Sequence, residues 1–122
     1  FQKETGAKFF LKKVPDPERF GVAHIAKSGI QSIVEKPKKP KTNLAVTGLY
    51  LYDQDVFDIV KKIKPSARGE LEITDVNNHY VKAGLANFEI VNGDWIDAGT
   101  FDSLLEAAVL MMKKDKEIPR IV

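Results

Sequence analysis

The sequence predicts an α/β fold in which one mixed sheet is flanked by helices. Short apolar runs rich in β-branched and aromatic residues alternate with segments whose apolar residues recur every three or four positions. Strands interleaved with helices are typical of layered α/β architecture. The chain has 122 residues, of which 43% are apolar and 30% charged. That is enough for one small folded domain, or a piece of a larger one, and leaves no room for two independent cores.

The first third of the chain predicts three strands. Residues Ala7 to Val14 carry apolar side chains among lysines with no Gly or Pro, and two prolines then end the run. A second apolar stretch extends through Ile25. Ser28-Gly29 has the composition of a hairpin turn, which predicts that Ile30 to Glu35 is the partner strand. The lysine-rich segment Lys36 to Lys41 contains two prolines and predicts a non-helical loop.

The middle of the chain predicts the central strand and two helices. Leu44 to Tyr52 has apolar residues on both faces, which favours a buried central strand. Asp53 and Asp55 favour a helix start, and a helix ending before Pro65 would turn Val56, Val60 and Ile63 inward. A second helix after Glu70 is expected to have an inner side that comprises Ile73, Val76, Tyr80 and Leu85.

The last third predicts two strands and a capped helix. Ala86 to Val91 resembles a strand, closed by Asn92-Gly93-Asp94, and Trp95 to Asp97 resembles a short apolar strand. Thr100 can cap a final helix in which Met111 and Met112 are expected to pack. The apolar stripe of that helix comprises Phe101, Leu104, Leu105, Ala108 and Met112.

Composition excludes several classes of function. The chain has no Cys, which excludes a disulfide scaffold, a thiolate metal site and a cysteine nucleophile. Its formal net charge of +2 is too small for a general nucleic-acid field, so we expect no nucleic-acid partner. No apolar run approaches the ~20 residues that cross a bilayer, so we expect no membrane partner. No charged-then-apolar leader is visible, and the expected setting is cytoplasmic.

Three groups of residues could carry chemistry, and the first is Glu35-Lys36-Pro37 at a predicted strand end. A carboxylate there can accept hydrogen bonds from two hydroxyl groups, and an ammonium group can neutralise a phosphate. The same residues are more often found at a solvated strand end, because exposed charge is the norm.

The second group is the polar segment from Ser66 to Asp75, which we expect to open a helix. Arg68 beside a glycine could bind a phosphate in a bidentate manner, and a helix N-terminus would add its own positive end. The alternative is a surface arginine followed by acids that cap the helix.

The third group runs from Trp95 to Thr100. In open α/β sheets ligands gather outside the carboxyl ends of strands, so Asp97 would be placed for a hydroxyl group or a metal. A hard oxygen ligand suits Mg²⁺, which takes one or two protein carboxylates and keeps waters or phosphate oxygens. The alternative is a loop aspartate that bonds nearby backbone amides.

Read together, these segments resemble the sugar nucleotidyltransferases, and most closely their glucose-1-phosphate thymidylyltransferase branch. The matching stretches appear in family order and cover nearly the whole chain: Asp16 to Val22, Val34 to Pro37, Asn43 to Asp53, Arg68 to Asn77 and Trp95 to Thr100. The stretch that ends Gly-Leu-Tyr-Leu-Tyr-Asp favours the thymidylyl branch over the uridylyl and adenylyl branches.

The resemblance also implies which part of the enzyme this sequence represents. The family's glycine-rich nucleotide loop belongs to an N-terminal Rossmann-like half that does not occur in these 122 residues, which begin at Phe1. The resemblance therefore implies a partial Rossmann-like nucleotidyltransferase fold in which residues 1–122 form the C-terminal, sugar-phosphate-binding part. We expect this chain to be inactive alone.

The resemblance implies roles for seven side chains or backbone groups and for one metal ligand. In the sugar pocket, the Gly21 amide and the Glu35 carboxylate would bind the sugar, Val46 would offer backbone groups, and Tyr50 would line the wall. Lys36 and Arg68 would act as the catalytic residues that hold the phosphates. Asp97 would bind Mg²⁺ with an aspartate from the other half, and Trp95 would pack behind Asp97.

The implied reaction transfers a thymidylyl group from dTTP to glucose 1-phosphate and gives dTDP-glucose and pyrophosphate, with Mg²⁺ as cofactor. The family also implies a homo-oligomer. Two alternatives stay open from the sequence: another sugar-1-phosphate nucleotidyltransferase, such as a uridylyl enzyme, and a non-catalytic fragment that binds sugar phosphate or associates with itself.

Overall fold

A computed structural model describes residues 5–117, and it confirms the mixed α/β architecture. The strands are β1 (Ala7–Lys13), β2 (Gly21–Ala26), β3 (Gly29–Glu35), β4 (Leu44–Tyr52) and β5 (Ala86–Ile90). The helices are α1 (Val56–Lys62), α2 (Ile73–Lys82) and α3 (Phe101–Glu117), with a single 3₁₀ turn at Pro17–Arg19. The strands form one five-stranded sheet in the order β3-β2-β4-β1-β5.

The sheet is mixed because only its last pair is parallel. Strands β2 and β3 form the predicted antiparallel hairpin, in which Gly21 faces Glu35 across the two strands. Strand β4 pairs antiparallel with β1, and β5 pairs parallel with β1. Tyr52 at the end of β4 and Ala86 at the start of β5 both pair with Ala7, so the segment that carries α1 and α2 connects β4 to β5 at one end of the sheet.

Strand β4 occupies the central position that the sequence predicts, but only its first half is buried. Ala45 and Val46 are buried, whereas Leu49 is 56% exposed. The reason is a bulge: Leu11 faces Val46 while Phe9 faces Tyr50, so β4 has extra residues between the two pairs. Gly48, at φ 86°, provides the left-handed backbone within this bulge.

The hydrophobic core lies between the sheet and helices α1 and α2. Its buried members include Phe9 and Leu11 of β1, Ile59 of α1, and Val76 and Tyr80 of α2. Burying each such side chain contributes roughly 1.5–3 kcal/mol relative to leaving it exposed. The prediction that Val76 and Tyr80 face inward is therefore confirmed.

Three predicted inward residues are exposed instead. Helix α1 turns Ile59 into the core and leaves Val60 40% exposed, because in a helix of two turns Val56, Ile59 and Ile63 share one face and Val60 lies beside it. Ile73 is the first residue of α2 and Leu85 lies beyond its end, so both lie outside the face that packs on the sheet.

The described residues from Gly93 onward form a separate compact unit. It consists of an irregular segment followed by α3. The predicted cap is confirmed: the Ser103 amide donates to Thr100 Oγ1 at 3.2 Å, and the Thr100 amide donates to Ser103 Oγ at 3.1 Å. Lys114 also forms an ion pair of 2.8 Å with Asp94.

The structure corrects two predictions in this second unit. Trp95 to Asp97 are not a strand: the sheet within residues 5–117 comprises β1 to β5, and a segment of three residues is at the lower limit of strand length. The apolar stripe of α3 is exposed, as are Met111 and Met112, so the periodicity identifies an apolar face but not a surface to cover it. No helix within the described ranges is both long and apolar enough to cross a membrane.

Candidate functional site

A cleft of ≈ 520 Å³ lies where the end of β3 meets the loop before α2 and the first turns of α2. It brings together three of the residues singled out in the sequence, Glu35, Lys36 and Arg68. The residues that line it are Ile33, Val34, Glu35, Lys36, Ser66, Ala67, Arg68, Glu72, Thr74, Asp75 and Asn78.

Glu35 ends strand β3, and its carboxylate is held by a neighbouring hydroxyl group. Thr74 Oγ1 donates a hydrogen bond of 2.8 Å to Glu35 Oε2. Gly21 lies opposite, and a Cβ atom there would be 3.2 Å from the same carboxylate oxygen. Because the second carboxylate oxygen has no such partner on Thr74, it can accept hydrogen bonds from a ligand. Gly21 leaves room for that ligand to approach closely.

Lys36 has a left-handed backbone, which is costly for any residue other than glycine. Its φ is 42°, and it is the single non-glycine residue with positive φ in the described part of the chain. A hydrogen bond of 3.0 Å from its amide to the Phe20 carbonyl fixes this conformation. Strain of this kind is of order 1–3 kcal/mol and persists where the surrounding structure imposes it, often at functional sites.

Arg68 lies in a turn, whereas the sequence predicted that it lies at the start of a helix. The turn is closed by a hydrogen bond of 2.8 Å from the Gly69 amide to the Ser66 carbonyl, and α2 begins only at Ile73. The guanidinium donates from Nε and Nη2 to Glu72 Oε1, at 3.1 and 2.8 Å. A helix dipole therefore adds nothing to Arg68, and the acid at the helix start binds Arg68 instead of capping.

The carboxylates around Arg68 form a charged network along the cleft. Hydrogen bonds from Arg68 and Ser66, together with the positive charges of Arg68 and Lys36, lower the pKa of Glu72. The Glu72 hydrogen bonds and the charges of Glu72, Glu70 and Glu35 raise the pKa of Arg68. The side chain of Arg68 is still 61% exposed, so part of its five-donor guanidinium stays accessible to an anion.

Val46 and Tyr50, both predicted to contact a sugar, are not among the residues that line this cleft. Val46 is buried directly before the β4 bulge. Tyr50 is half-buried and stacks on Tyr52 with ring centroids 5.8 Å apart. Burial raises the pKa of Tyr50, a hydrogen bond with Asn77 lowers it, and the negative charge of Glu35 raises it again, so the net shift is upward.

Trp95 and Asp97 lie in the second compact unit. Trp95 is half-buried and Asp97 is exposed. A Cβ atom on Gly99 would lie 3.4 Å from Asp97 Oδ1, so the glycine leaves space beside the carboxylate. An exposed carboxylate with free space around it fits one ligand of Mg²⁺, which needs only one or two from protein. Across residues 5–117 no group of three or more His, Cys, Asp or Glu side chains could hold a metal ion.

Thr74 and Asn78 contribute to the cleft and were not singled out in the sequence. Thr74 is buried and contacts Glu35, and Asn78 hydrogen-bonds strand β3. Their spacing of four along α2 puts both on one helix face, which is a sequence signal. Their partners are 39 and 45 residues away, and no local pattern identifies such partners.

A second, smaller cavity of ≈ 250 Å³ lies between α1 and α2. Its wall includes Asp55, Asp58, His79 and Tyr80. The Tyr80 hydroxyl donates a hydrogen bond of 2.8 Å to Asp53 Oδ1, which also accepts from the Asp55 amide. These contacts join the two helices to the end of β4, and none of the residues with predicted chemistry lines this cavity.

The sequence of this chain is similar to those of known proteins. A glucose-1-phosphate thymidylyltransferase of Xanthomonas campestris pv. campestris is 50% identical over 109 residues, which are 87% of this chain and 37% of that protein. The enzyme of the same name from Mycobacterium tuberculosis is 46% identical over 111 residues, 88% of this chain and 38% of its own length. The chain thus spans well under half of these relatives.

Solved structures agree with this assignment. A Bacillus anthracis protein assigned to the glucose-1-phosphate thymidylyltransferases and solved in complex with sucrose is 58% identical, with a TM-score of 0.81 over 89% of this chain and 44% of its own. A UDP-glucose pyrophosphorylase solved with UDP-glucose is 27% identical, with a TM-score of 0.81 over 93% of this chain and 46% of its own. The family model described as nucleotidyl transferase matches residues 1–114, and this chain therefore belongs to the nucleotidyl transferase family.

Proposed function

We propose that residues 1–122 are the C-terminal, sugar-phosphate-binding part of an enzyme that transfers a thymidylyl group from dTTP to glucose 1-phosphate. The observation that carries the proposal is the cleft in which the Glu35 carboxylate lies with Lys36 and Arg68. A hydrogen-bond acceptor beside two cations matches a ligand that has hydroxyl groups at one end and a phosphate at the other.

The sugar would bind at the Glu35 end of the cleft. The Glu35 oxygen that Thr74 leaves unoccupied would accept hydrogen bonds from sugar hydroxyl groups, and Gly21 would let the ring approach the backbone. Val46 would offer backbone groups, and Tyr50 would line the neighbouring wall of β4. Both roles rest on the family resemblance, because neither residue lines the cleft described above.

The phosphate would bind at the cationic end. Lys36 provides a point charge next to Glu35, and Arg68 provides planar N–H donors from the facing loop. Arg68 is bound to Glu72, so a phosphate oxygen would have to bind its accessible N–H groups or replace Glu72. Glu72 thus keeps the guanidinium oriented while the cleft is empty.

In the reaction, an oxygen of glucose 1-phosphate attacks the α-phosphorus of dTTP and forms a new phosphorus–oxygen bond. The bond between that phosphorus and the bridging oxygen breaks, and pyrophosphate leaves with the electron pair. Positioning and charge neutralisation by Lys36 and Arg68 would supply most of the rate enhancement, as in phosphoryl transfer generally. Mg²⁺, held by Asp97 with Trp95 behind it, would neutralise charge on the nucleotide phosphates when bound.

The nucleotide-binding half would lie outside this sequence, because the chain spans 37% of the first thymidylyltransferase relative. The choice of thymidylyl over uridylyl transfer is supported by identity: 50% to that relative against 27% to the UDP-glucose pyrophosphorylase. The uridylyl reaction stays the second candidate, because both folds superpose with the same TM-score.

Pyrophosphate release tests the proposal. The complete natural protein is assayed with glucose 1-phosphate, Mg²⁺ and either dTTP or UTP, beside the 122-residue chain alone. We expect release with dTTP to exceed release with UTP, and we expect none from the chain alone. Faster release with UTP would favour the uridylyl candidate. No release with either nucleotide, together with measurable glucose 1-phosphate binding, would favour a non-catalytic sugar-phosphate-binding protein.

A further inference from the structure

Asn78 makes a paired contact with the edge of the sheet that the proposed chemistry does not use. Its side-chain amide donates from Nδ2 to the Ile33 carbonyl at 2.7 Å, and its Oδ1 accepts from the Ile33 amide at 2.9 Å. One side chain thus pairs with both polar groups of a single backbone residue, as a neighbouring strand would. Strand β3 is the last strand in the sheet order, so Asn78 occupies hydrogen-bonding groups on its outer edge.

Thr74 makes the second contact between the same two elements. It lies four residues before Asn78 on α2, and residues at this spacing share one helix face. Its hydroxyl group donates to Glu35, which lies two residues after Ile33 on β3 and therefore on the same side of the strand. The two contacts run in parallel, so the register of α2 against β3 determines where Thr74 meets Glu35.

We propose that Asn78 is a positioning residue that fixes α2 against the edge of β3 and thereby holds the Glu35 carboxylate, through Thr74, in the orientation that receives a sugar hydroxyl group. This inference rests on the proposed sugar-binding role of Glu35. Core packing by Val76 and Tyr80 holds α2 on the sheet, but Thr74 alone would not define its register against β3, because a single hydrogen bond to a flexible glutamate does not define register. The Asn78 pair is made to backbone and does define it.

The test measures binding of two probes by calorimetry: glucose 1-phosphate, which carries the sugar, and inorganic phosphate, which does not. It uses the complete natural protein and its Asn78→Ala variant. We expect glucose 1-phosphate to bind about tenfold more weakly, the equivalent of roughly one hydrogen bond, while phosphate affinity changes less than about twofold. Asn87→Ala is the matched control, because Asn87 is exposed on β5, and its two affinities should not change.

A second variant covers the case in which Asn78→Ala fails to fold. Asn78→Asp has the same shape and keeps the acceptor for the Ile33 amide, but at neutral pH it loses the donor to the Ile33 carbonyl. We expect it to fold and to lose more glucose 1-phosphate affinity than phosphate affinity, because the new carboxylate in the cleft repels both probes but only the sugar depends on the orientation of Glu35. Amide hydrogen exchange at Ile33 should become faster in Asn78→Ala than in the unsubstituted protein.

A double-mutant cycle separates positioning from general stability. If Asn78 acts through Thr74, then Thr74→Val and the double variant Thr74→Val/Asn78→Ala should bind glucose 1-phosphate with equal affinity, within about twofold. Additive losses would overturn the inference, and so would an Asn78→Ala variant that binds glucose 1-phosphate normally. The Glu35→Gln variant distinguishes a failure of the proposed function from a failure of the role of Asn78. Normal glucose 1-phosphate binding by Glu35→Gln would refute the proposed function itself. A selective loss in Glu35→Gln with no loss in Asn78→Ala would refute only the role of Asn78.

Discussion

At the scale of single residues, the candidate site depends on positions where a small or strained backbone allows a polar group to be reached. Gly21 leaves one face of the Glu35 carboxylate open, and Lys36 turns the chain directly after Glu35 through a left-handed conformation. Both positions follow from the pairing of the start of β2 with the end of β3, where Gly21 faces Glu35. Substitutions at each position are expected to affect ligand binding and stability differently.

A methyl group at Gly21 should weaken sugar binding with little cost in stability. In Gly21→Ala the new Cβ would lie 3.2 Å from Glu35 Oε2, and the flexible end of the glutamate would have to move by a few tenths of an ångström. We expect about a tenfold loss of glucose 1-phosphate affinity and a change in the free energy of unfolding below about 1 kcal/mol. Calorimetry and urea unfolding measure the two quantities.

Gly93→Ala is the matched control for this substitution, because a Cβ at Gly93 meets no atom within 4 Å and its φ is not positive. It should leave binding unchanged. If Gly21→Ala bound glucose 1-phosphate as well as the control does, Gly21 would have no part in the sugar site.

At Lys36 we expect the side chain to serve phosphate binding and the left-handed backbone to reduce stability. A left-handed backbone costs a residue with a Cβ about 1–2 kcal/mol, and glycine avoids that cost but loses more entropy on folding. We expect Lys36→Gly to be more stable than Lys36→Ala by about 0.5–1 kcal/mol in urea unfolding, while both variants lose phosphate affinity. At Lys38, whose φ is not positive, the same pair of substitutions should reverse in order. If Lys36→Ala were more stable than Lys36→Gly, this result would contradict the strained conformation of Lys36.

At the scale of elements, the sequence predicts most helices and strands but not the contacts between them. The five strands β1 to β5 were expected near their observed bounds, because each has β-branched or aromatic residues between turn residues. The predicted strand from Trp95 to Asp97 was wrong, because whether an extended segment becomes a strand depends on a partner that is distant in sequence. The contacts of Thr74 and Asn78 and the bulge after Val46 could not be predicted for the same reason, because each of them involves residues far apart in sequence.

Asp53 connects three elements, which gives stability a dependence on pH. Burial opposes ionisation, but hydrogen bonds from the Tyr80 hydroxyl and from the Gly6 and Asp55 amides outweigh it and lower the pKa of Asp53 below its usual 3.8. A carboxyl whose pKa is lower in the folded state stabilises the fold above its unfolded pKa. That contribution is lost as the pH falls through the folded value.

We therefore expect Asp53→Asn to lower the free energy of unfolding at about pH 6 and to flatten its decline between about pH 5 and pH 2. Urea unfolding across this range measures both effects. Asp58→Asn on α1 is the control, because the Asp58 side chain is 72% exposed and its ion pair with Lys61 is long, at 3.5 Å. An Asp53→Asn variant with the pH dependence of the unsubstituted chain would refute the assigned role of Asp53.

At the scale of the whole molecule, the helix α3 exposes an apolar face to solvent. The exposed large side chains of α3 are Phe101, Leu104, Leu105, Val109, Met111 and Met112. Contiguous apolar surface of this kind promotes association in water. We expect the 122-residue chain to self-associate with rising concentration in sedimentation experiments, and Phe101→Ser/Leu105→Ser to reduce that association. Leu85→Ser, outside α3, should not reduce it, and a concentration-independent monomer would contradict the prediction.

Residues that lie close together in sequence, such as Glu35-Lys36-Pro37, predicted a candidate site, and Glu35 and Lys36 do line one cleft. Its construction was not, because the cleft forms only when β3, the loop at Arg68 and the first turns of α2 meet. The sequence also suggested that Arg68 uses a helix N-terminus, whereas the folded loop binds Arg68 to Glu72. Local patterns thus indicated candidate chemical groups, and long-range packing determined which residues those groups contact.

The central claim is that a sugar 1-phosphate binds in the cleft of Glu35, Lys36 and Arg68, and chemical-shift mapping tests it most directly. Glucose 1-phosphate is titrated into the ¹⁵N-labelled protein, and the backbone amides are followed one by one. The account predicts that the largest saturable shifts occur at Gly21, Glu35, Lys36, Arg68 and Thr74, and that Lys36→Met abolishes them. Shifts confined to the cavity walled by Asp55, Asp58 and His79, or shifts that Lys36→Met leaves unchanged, would contradict it.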